Sequence, residues 1–98
     1  MCILNIEATP SENLSRYKLA IDRKRVRMGA NNRGTFNLPD NSCDDGTQHL
    51  LTYALVGPTG AKLSIKVVCD DETEVNIEGV EIYPEGEPFA AGFREFVL

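Results

Sequence analysis

Ala61-Lys-Leu-Ser-Ile-Lys-Val-Val-Cys69 is the stretch on which the reading of this chain turns. Leu63, Ile65, Val67 and Cys69 alternate with Lys62, Ser64 and Lys66, and a period of two marks a β-strand with one face on a core and the other in water. Upstream, His49-Leu-Leu-Thr-Tyr-Ala-Leu-Val56 is a second, more apolar run, and the intervening Gly57-Pro-Thr-Gly60 is turn chemistry. Residues 49–56 and 61–69 are therefore expected to form one long hairpin, with Leu63, Ile65 and Val67 facing inward.

Working outward, Glu74-Val-Asn-Ile-Glu78 alternates in the same way. Gly79 interrupts, and Val80-Glu-Ile-Tyr83 resumes in shifted phase, which predicts a β-bulge at the glycine before Pro84 ends the strand. Residues 2–9, 35–38 and 93–98 read as shorter strands, the last following a loop over 86–92. Residues 16–22 set Tyr17, Leu19 and Ile21 against Lys18, Ala20 and Asp22, and residues 22–25 form a turn into 26–28. The same stretch supports a short helix over residues 12–28. In that reading Ser11 is the N-cap, Leu14, Tyr17, Ile21 and Met28 share one face, and Gly29 is the stop.

Seven or eight short strands punctuated by Gly, Pro, Asn and Asp, within 98 residues, predict an all-β fold: an antiparallel, immunoglobulin-like or related β-sandwich. The chain contains no Trp to fill the position an immunoglobulin domain uses, so only the architecture is implied. At 10.8 kDa, with no repeat or linker, residues 1–98 read as a single domain.

Ten Lys+Arg against fifteen Asp+Glu give a net charge of −5, which disfavours binding to nucleic acid or to an anionic membrane surface. The first residues have no basic stretch leading into an apolar one, and no segment reaches the roughly 20 apolar residues that span a bilayer. Cys2, Cys43 and Cys69 are odd in number and lack C-x-x-C spacing, so a cytoplasmic, reducing setting is expected. Charge is unevenly spread: residues 1–39 sum to +4 and residues 40–98 to −9. Pairing of basic strands beside acidic ones would account for this. A surface that attracts a charged partner would do so too.

Two clusters carry the candidate sites. Asp40, Asp44 and Asp45 in one loop and Asp70, Asp71 and Glu72 in another supply the hard oxygens that Ca²⁺ takes six to eight at a time. The helix–loop–helix calcium pattern is absent, since Asp45 stands where it needs Gly and Leu51 where it needs Glu. Arg23, Lys24, Arg25 and Arg27 form a basic turn that could take an acidic partner or the acidic half of a second copy. Gly57-Pro-Thr-Gly-Ala-Lys62 lacks the spacing of a phosphate-binding loop.

His49 is the single histidine, so a nucleophile system would centre on it, with Cys43 or Cys69 attacking and an Asp orienting the ring. A histidine bonded to a backbone carbonyl at the start of a strand is the plainer expectation. The sequence thus points to a non-enzymatic, cofactor-free interaction or structural module whose partner is another protein or a second copy. A Ca²⁺-dependent ligand-binding sandwich is the alternative.

Overall fold

The computed structural model describes residues 2–39, 46–69, 72–82 and 89–98. Eight strands are present: β1 (Cys2–Pro10), β2 (Arg16–Ile21), β3 (Lys24–Val26), β4 (Arg33–Leu38), β5 (Gln48–Val56), β6 (Lys62–Cys69), β7 (Glu72–Glu81) and β8 (Phe89–Val97). They make two four-stranded antiparallel sheets, β4-β1-β6-β7 and β3-β2-β5-β8. Leu4, Ile6, Leu63, Ile65, Val67 and Val75 of the first sheet share one core with Leu19, Ile21, Val26, Leu51, Leu55 and Phe96 of the second.

The all-β expectation holds, and the phase of β6 is as read. Leu63, Ile65 and Val67 are at most 1% exposed, while Lys62 and Lys66 face solvent. Gly79 forms the expected bulge: Leu63 pairs with Val80 and Ile65 with Ile77, leaving two β7 residues opposite Ser64. Gly79 sits at φ 65° and donates its amide to Ser64 Oγ at 3.0 Å. Val75 and Ile77 before the bulge and Ile82 after it all reach the core.

The expected hairpin does not form. β5 pairs with β2 and β8, β6 pairs with β1 and β7, and residues 57–60 carry the chain from one sheet to the other. A hairpin and a crossover can use the same Gly and Pro turn residues; the edge partners decide between them. Here Val56 O accepts from Ser15 N, and the Ile82 amide donates to Ala61 O, so each end of the crossover is tied to its own sheet. Buried Gly57 permits the bend, because a Cβ there would lie 3.2 Å from Ala61 Cβ and 3.3 Å from Ser15 N.

Three further expectations are corrected. Residues 12–28 contain no helix, because Tyr17, Leu19 and Ile21 gain a strand partner in β5 that fixes period two. β8 begins at Phe89, inside the expected loop, since Phe89 to Gly92 continue the ladder along β5. The strand order also differs from the immunoglobulin arrangement, whose first two strands share a sheet; here β1 and β2 lie in opposite sheets.

Candidate functional site

β8 is an edge strand, hydrogen-bonded on one side to β5 through nine consecutive pairs from Gln48↔Val97 to Val56↔Phe89, without a bulge. Ala90 and Phe96 turn inward, whereas Phe89, Ala91, Phe93, Glu95 and Val97 point out of the sandwich. Phe89 is 51% exposed, Phe93 66% and Val97 52%. Their cross-strand neighbours on β5 explain why they stand uncovered. Phe93 lies beside Thr52, Ala91 beside Ala54 and Phe89 beside Val56, all too small to shield an aromatic ring.

Among the described residues, the backbone of this edge is open as well. Asp22 N donates to Leu50 O at 2.9 Å and Leu98 N to Thr47 O at 3.0 Å. Continuing the antiparallel alternation from these two bonds, even-numbered β5 residues bond β2 and odd-numbered ones bond β8. The N–H and C=O groups of Phe89, Ala91, Phe93, Glu95 and Val97 therefore point away from β5.

The other three edges are protected by means that natural sheets use against unwanted pairing. β3 has only three residues, including exposed Lys24 and Arg25. β7 is acidic, with register shifts at two places. β4 is covered at Gly34 by a bridge to Met28, and a Cβ on Gly34 would lie 2.6 Å from Arg27 O. β8 is thus the one long, regular, apolar edge among the described residues.

The basic turn occupies the opposite margin of the same sheet. Asp22 and Arg23 form a two-residue loop with φ of 51° and 69°, the type I′ hairpin geometry. Arg23, Lys24, Arg25 and Arg27 are all exposed, and none forms an ion pair among the described residues. Among the described residues, pairing of basic against acidic strands accounts for two contacts, Arg33 with Glu7 at 3.6 Å and Lys62 with Glu81 at 3.9 Å. The outer face consequently grades from Arg25, Arg16 and Lys18 on β3 and β2 to the exposed phenylalanines on β8.

His49, at the start of β5, is held between two side chains. Its Nδ1 lies 2.7 Å from Asp22 Oδ2 and its Nε2 3.1 Å from Thr47 Oγ1, while Asp22 Oδ1 accepts the Leu50 amide at 2.9 Å. The carboxylate faces the Nδ1 side of the ring and the threonine hydroxyl the Nε2 side. This is the bonding order of a hydroxyl–imidazole–carboxylate triad. The ring, however, is 2% exposed and stacked at a tilt on Phe96, with ring centroids 5.4 Å apart, so the described residues leave a substrate no approach to Nε2. The group works as a clasp between the β2–β3 turn and the start of β5. Cys43 lies outside the described residues, and Cys69 is on β6 of the other sheet.

Asp40, Asp44, Asp45, Asp70 and Asp71 lie outside the described residues; Glu72 opens β7. Among the described residues no three His, Cys, Asp or Glu side chains converge as a metal site, and no buried side-chain polar atom lacks a partner. A shallow groove beside the basic turn is lined by Tyr17, Lys18, Arg25, Met28 and Asn32. Its half-buried Tyr17 hydroxyl is engaged, donating to Asn32 Oδ1 at 2.7 Å, and partial burial pushes the Tyr17 pKa above the ordinary tyrosine value. No helix among the described residues is long and apolar enough to cross a membrane.

The exposed β8 face was missed in the sequence, although a signal for it exists. Phe93 and Phe96 are three residues apart, so a strand cannot turn both inward. Comparison with known proteins adds no family: no family model, curated protein or solved structure matches the chain.

Proposed function

We propose that this protein is a non-enzymatic interaction module that engages another polypeptide along β8. The observation that carries this reading is the coincidence of an open nine-residue strand edge with Phe89, Phe93 and Val97, all more than half exposed on its outer face. Added strands bind sheet edges through main-chain hydrogen bonds, and alternate side chains give the specificity. Exposed apolar rows on an edge otherwise invite aggregation, so a binding role explains why this one is retained.

The test places a photoreactive benzoylphenylalanine at position 93 in cells expressing the full chain, with the same group at exposed Thr9 on the first sheet as control. A polypeptide adduct from position 93 and none from position 9 is the expected result. No adduct, or equal adducts from both positions, overturns the reading. The triple replacement Phe89→Lys, Phe93→Lys and Val97→Lys should abolish partner capture and leave the melting temperature within a few degrees; a collapse of the fold would show that these side chains belong to the core instead.

A further inference from the structure

We infer that the segment seated on the β8 edge is β8 of a second copy, paired antiparallel about a two-fold axis at Phe93; this rests on the reading of that edge as an interaction surface. A two-fold axis normal to the sheet keeps outward residues opposite outward residues, so only registers centred on a residue are allowed. Centring on Arg94 opposes two arginines, and centring on Glu95 opposes two glutamates, both unfavourable. Centring on Phe93 lets all nine residues from Phe89 to Val97 pair. It sets Phe93 on Phe93, Ala91 on Glu95 and Phe89 on Val97. On the inner side Arg94 falls opposite Gly92, which has no side chain to obstruct it.

The hydrogen-bonding pattern agrees with this register. The odd-numbered residues present free N–H and C=O groups, so Phe93 and its symmetry mate exchange both bonds and the ladder continues at Ala91 and Glu95 and at Phe89 and Val97. The product is one continuous eight-stranded sheet, β3-β2-β5-β8 joined to its mate, with the basic turns at its two far margins. Two half-exposed phenylalanines and a valine offer roughly 300 Å² of apolar surface per copy. Two copies fall below the roughly 1,200 Å² typical of stable interfaces, which makes the dimer a concentration-driven one. Each copy carries a net charge of −5, so salt should favour pairing by screening the repulsion.

Sedimentation velocity on the full chain from about 5 μM to 1 mM should show the mass rising from one chain toward two, at least as strongly in 500 mM as in 50 mM salt. Phe93→Lys should remain monomeric throughout with an unchanged melting temperature. Arg23→Glu with Arg25→Glu, at the opposite margin, should dimerise as the wild type does. Register is tested with Cys2, Cys43 and Cys69 replaced by alanine. Phe93→Cys should cross-link to its mate on oxidation, because a hydrogen-bonded pair sets Cα atoms about 5.5 Å apart, within disulfide reach. Phe89→Cys should not, since eight residues of strand separate it from its own mate by about 27 Å.

A monomer at 1 mM, a dimer that survives Phe93→Lys, a dimer lost with salt and charge reversal, or equal cross-linking at 89 and 93 would each overturn self-pairing. Benzoylphenylalanine at position 93 separates this failure from that of the broader reading. An adduct of twice the chain mass supports self-pairing. An adduct with a different polypeptide overturns it and leaves the interaction edge standing, and no adduct at all removes both.

Discussion

The Asp22 carboxylate and the His49 ring, 27 residues apart in sequence, meet at 2.7 Å at one end of the second sheet. Asp22 also accepts the Leu50 amide, so one side chain fixes a histidine orientation and the start of a strand together. Asp22→Ala removes the bonds that its carboxylate makes to His49 Nδ1 and to the Leu50 amide and should cost about 2–4 kcal/mol in urea melts, since bonds to charged groups contribute more than neutral ones. Asp22→Asn keeps one acceptor and should cost about 1 kcal/mol. Losses below about 0.5 kcal/mol for both would mean that the clasp contributes little.

Arg23 holds φ at 69° in the second position of its type I′ turn, where glycine is favoured. Because a side chain there carries a left-handed penalty of about 1–2 kcal/mol, Arg23→Gly should raise stability by about 0.5–1 kcal/mol after the extra chain entropy is counted. Arg23→Ala relieves nothing and should be neutral or worse. Chemical melts of the two variants, run side by side, give the comparison.

Tyr53 lies across Gly92 on the neighbouring strand, and a Cβ at 92 would stand 2.5 Å from its hydroxyl and 2.7 Å from the ring carbon that bears it. Gly92→Ala should therefore cost about 1–3 kcal/mol by displacing the ring. In a Tyr53→Ala background the same change should cost much less. A double-mutant cycle that closes additively would place the strain elsewhere.

Ile65→Ala, in the middle of β6, should cost about 2–5 kcal/mol from lost burial and the cavity left behind. Lys66→Ala, on the solvent face, should fall within about 0.5 kcal/mol of the wild type. Equal losses at the two positions would reverse the assigned phase.

The contrast between β6 and β5 shows how much of this molecule was legible in its sequence. Strict alternation at residues 62–67 fixes a strand and its buried face, because burial is written locally in period two. The Gly79 bulge was legible for the same reason, as a change of phase around one glycine. Which strands lie side by side was not local: Gly57 and Gly60 serve a hairpin or a crossover equally, and only the distant partners Ser15 and Ile82 separate the two. The clasp was hidden likewise, since nothing near His49 points to Asp22. The basic turn was visible as composition, but that Arg23, Lys24, Arg25 and Arg27 form no ion pair among the described residues follows from sheet order. Residues 12–28 satisfied two periods at once, and β5 resolved them.

The crossover at residues 57–60 also bears on how the chain reaches this state. With β5 and β6 sent to different sheets, the turn at residues 57–60 closes no hairpin, and local pairing is left to β2 with β3 and β6 with β7. β1 must find β6 some 60 residues away, as Leu4 does with Cys69, and β2 must find β5 some 30 to 40 residues away. Sheets joined mainly by distant pairings order in milliseconds to seconds, whereas locally paired folds take microseconds to milliseconds. During synthesis β1 precedes β6, so Leu4 and Ile6 lack the cover of Leu63, Ile65 and Val67 until β6 has been made. Among the eight strands β8 follows the other seven, so the strand that completes the core with Phe96 is the same one that offers Phe89, Phe93 and Val97 to solvent.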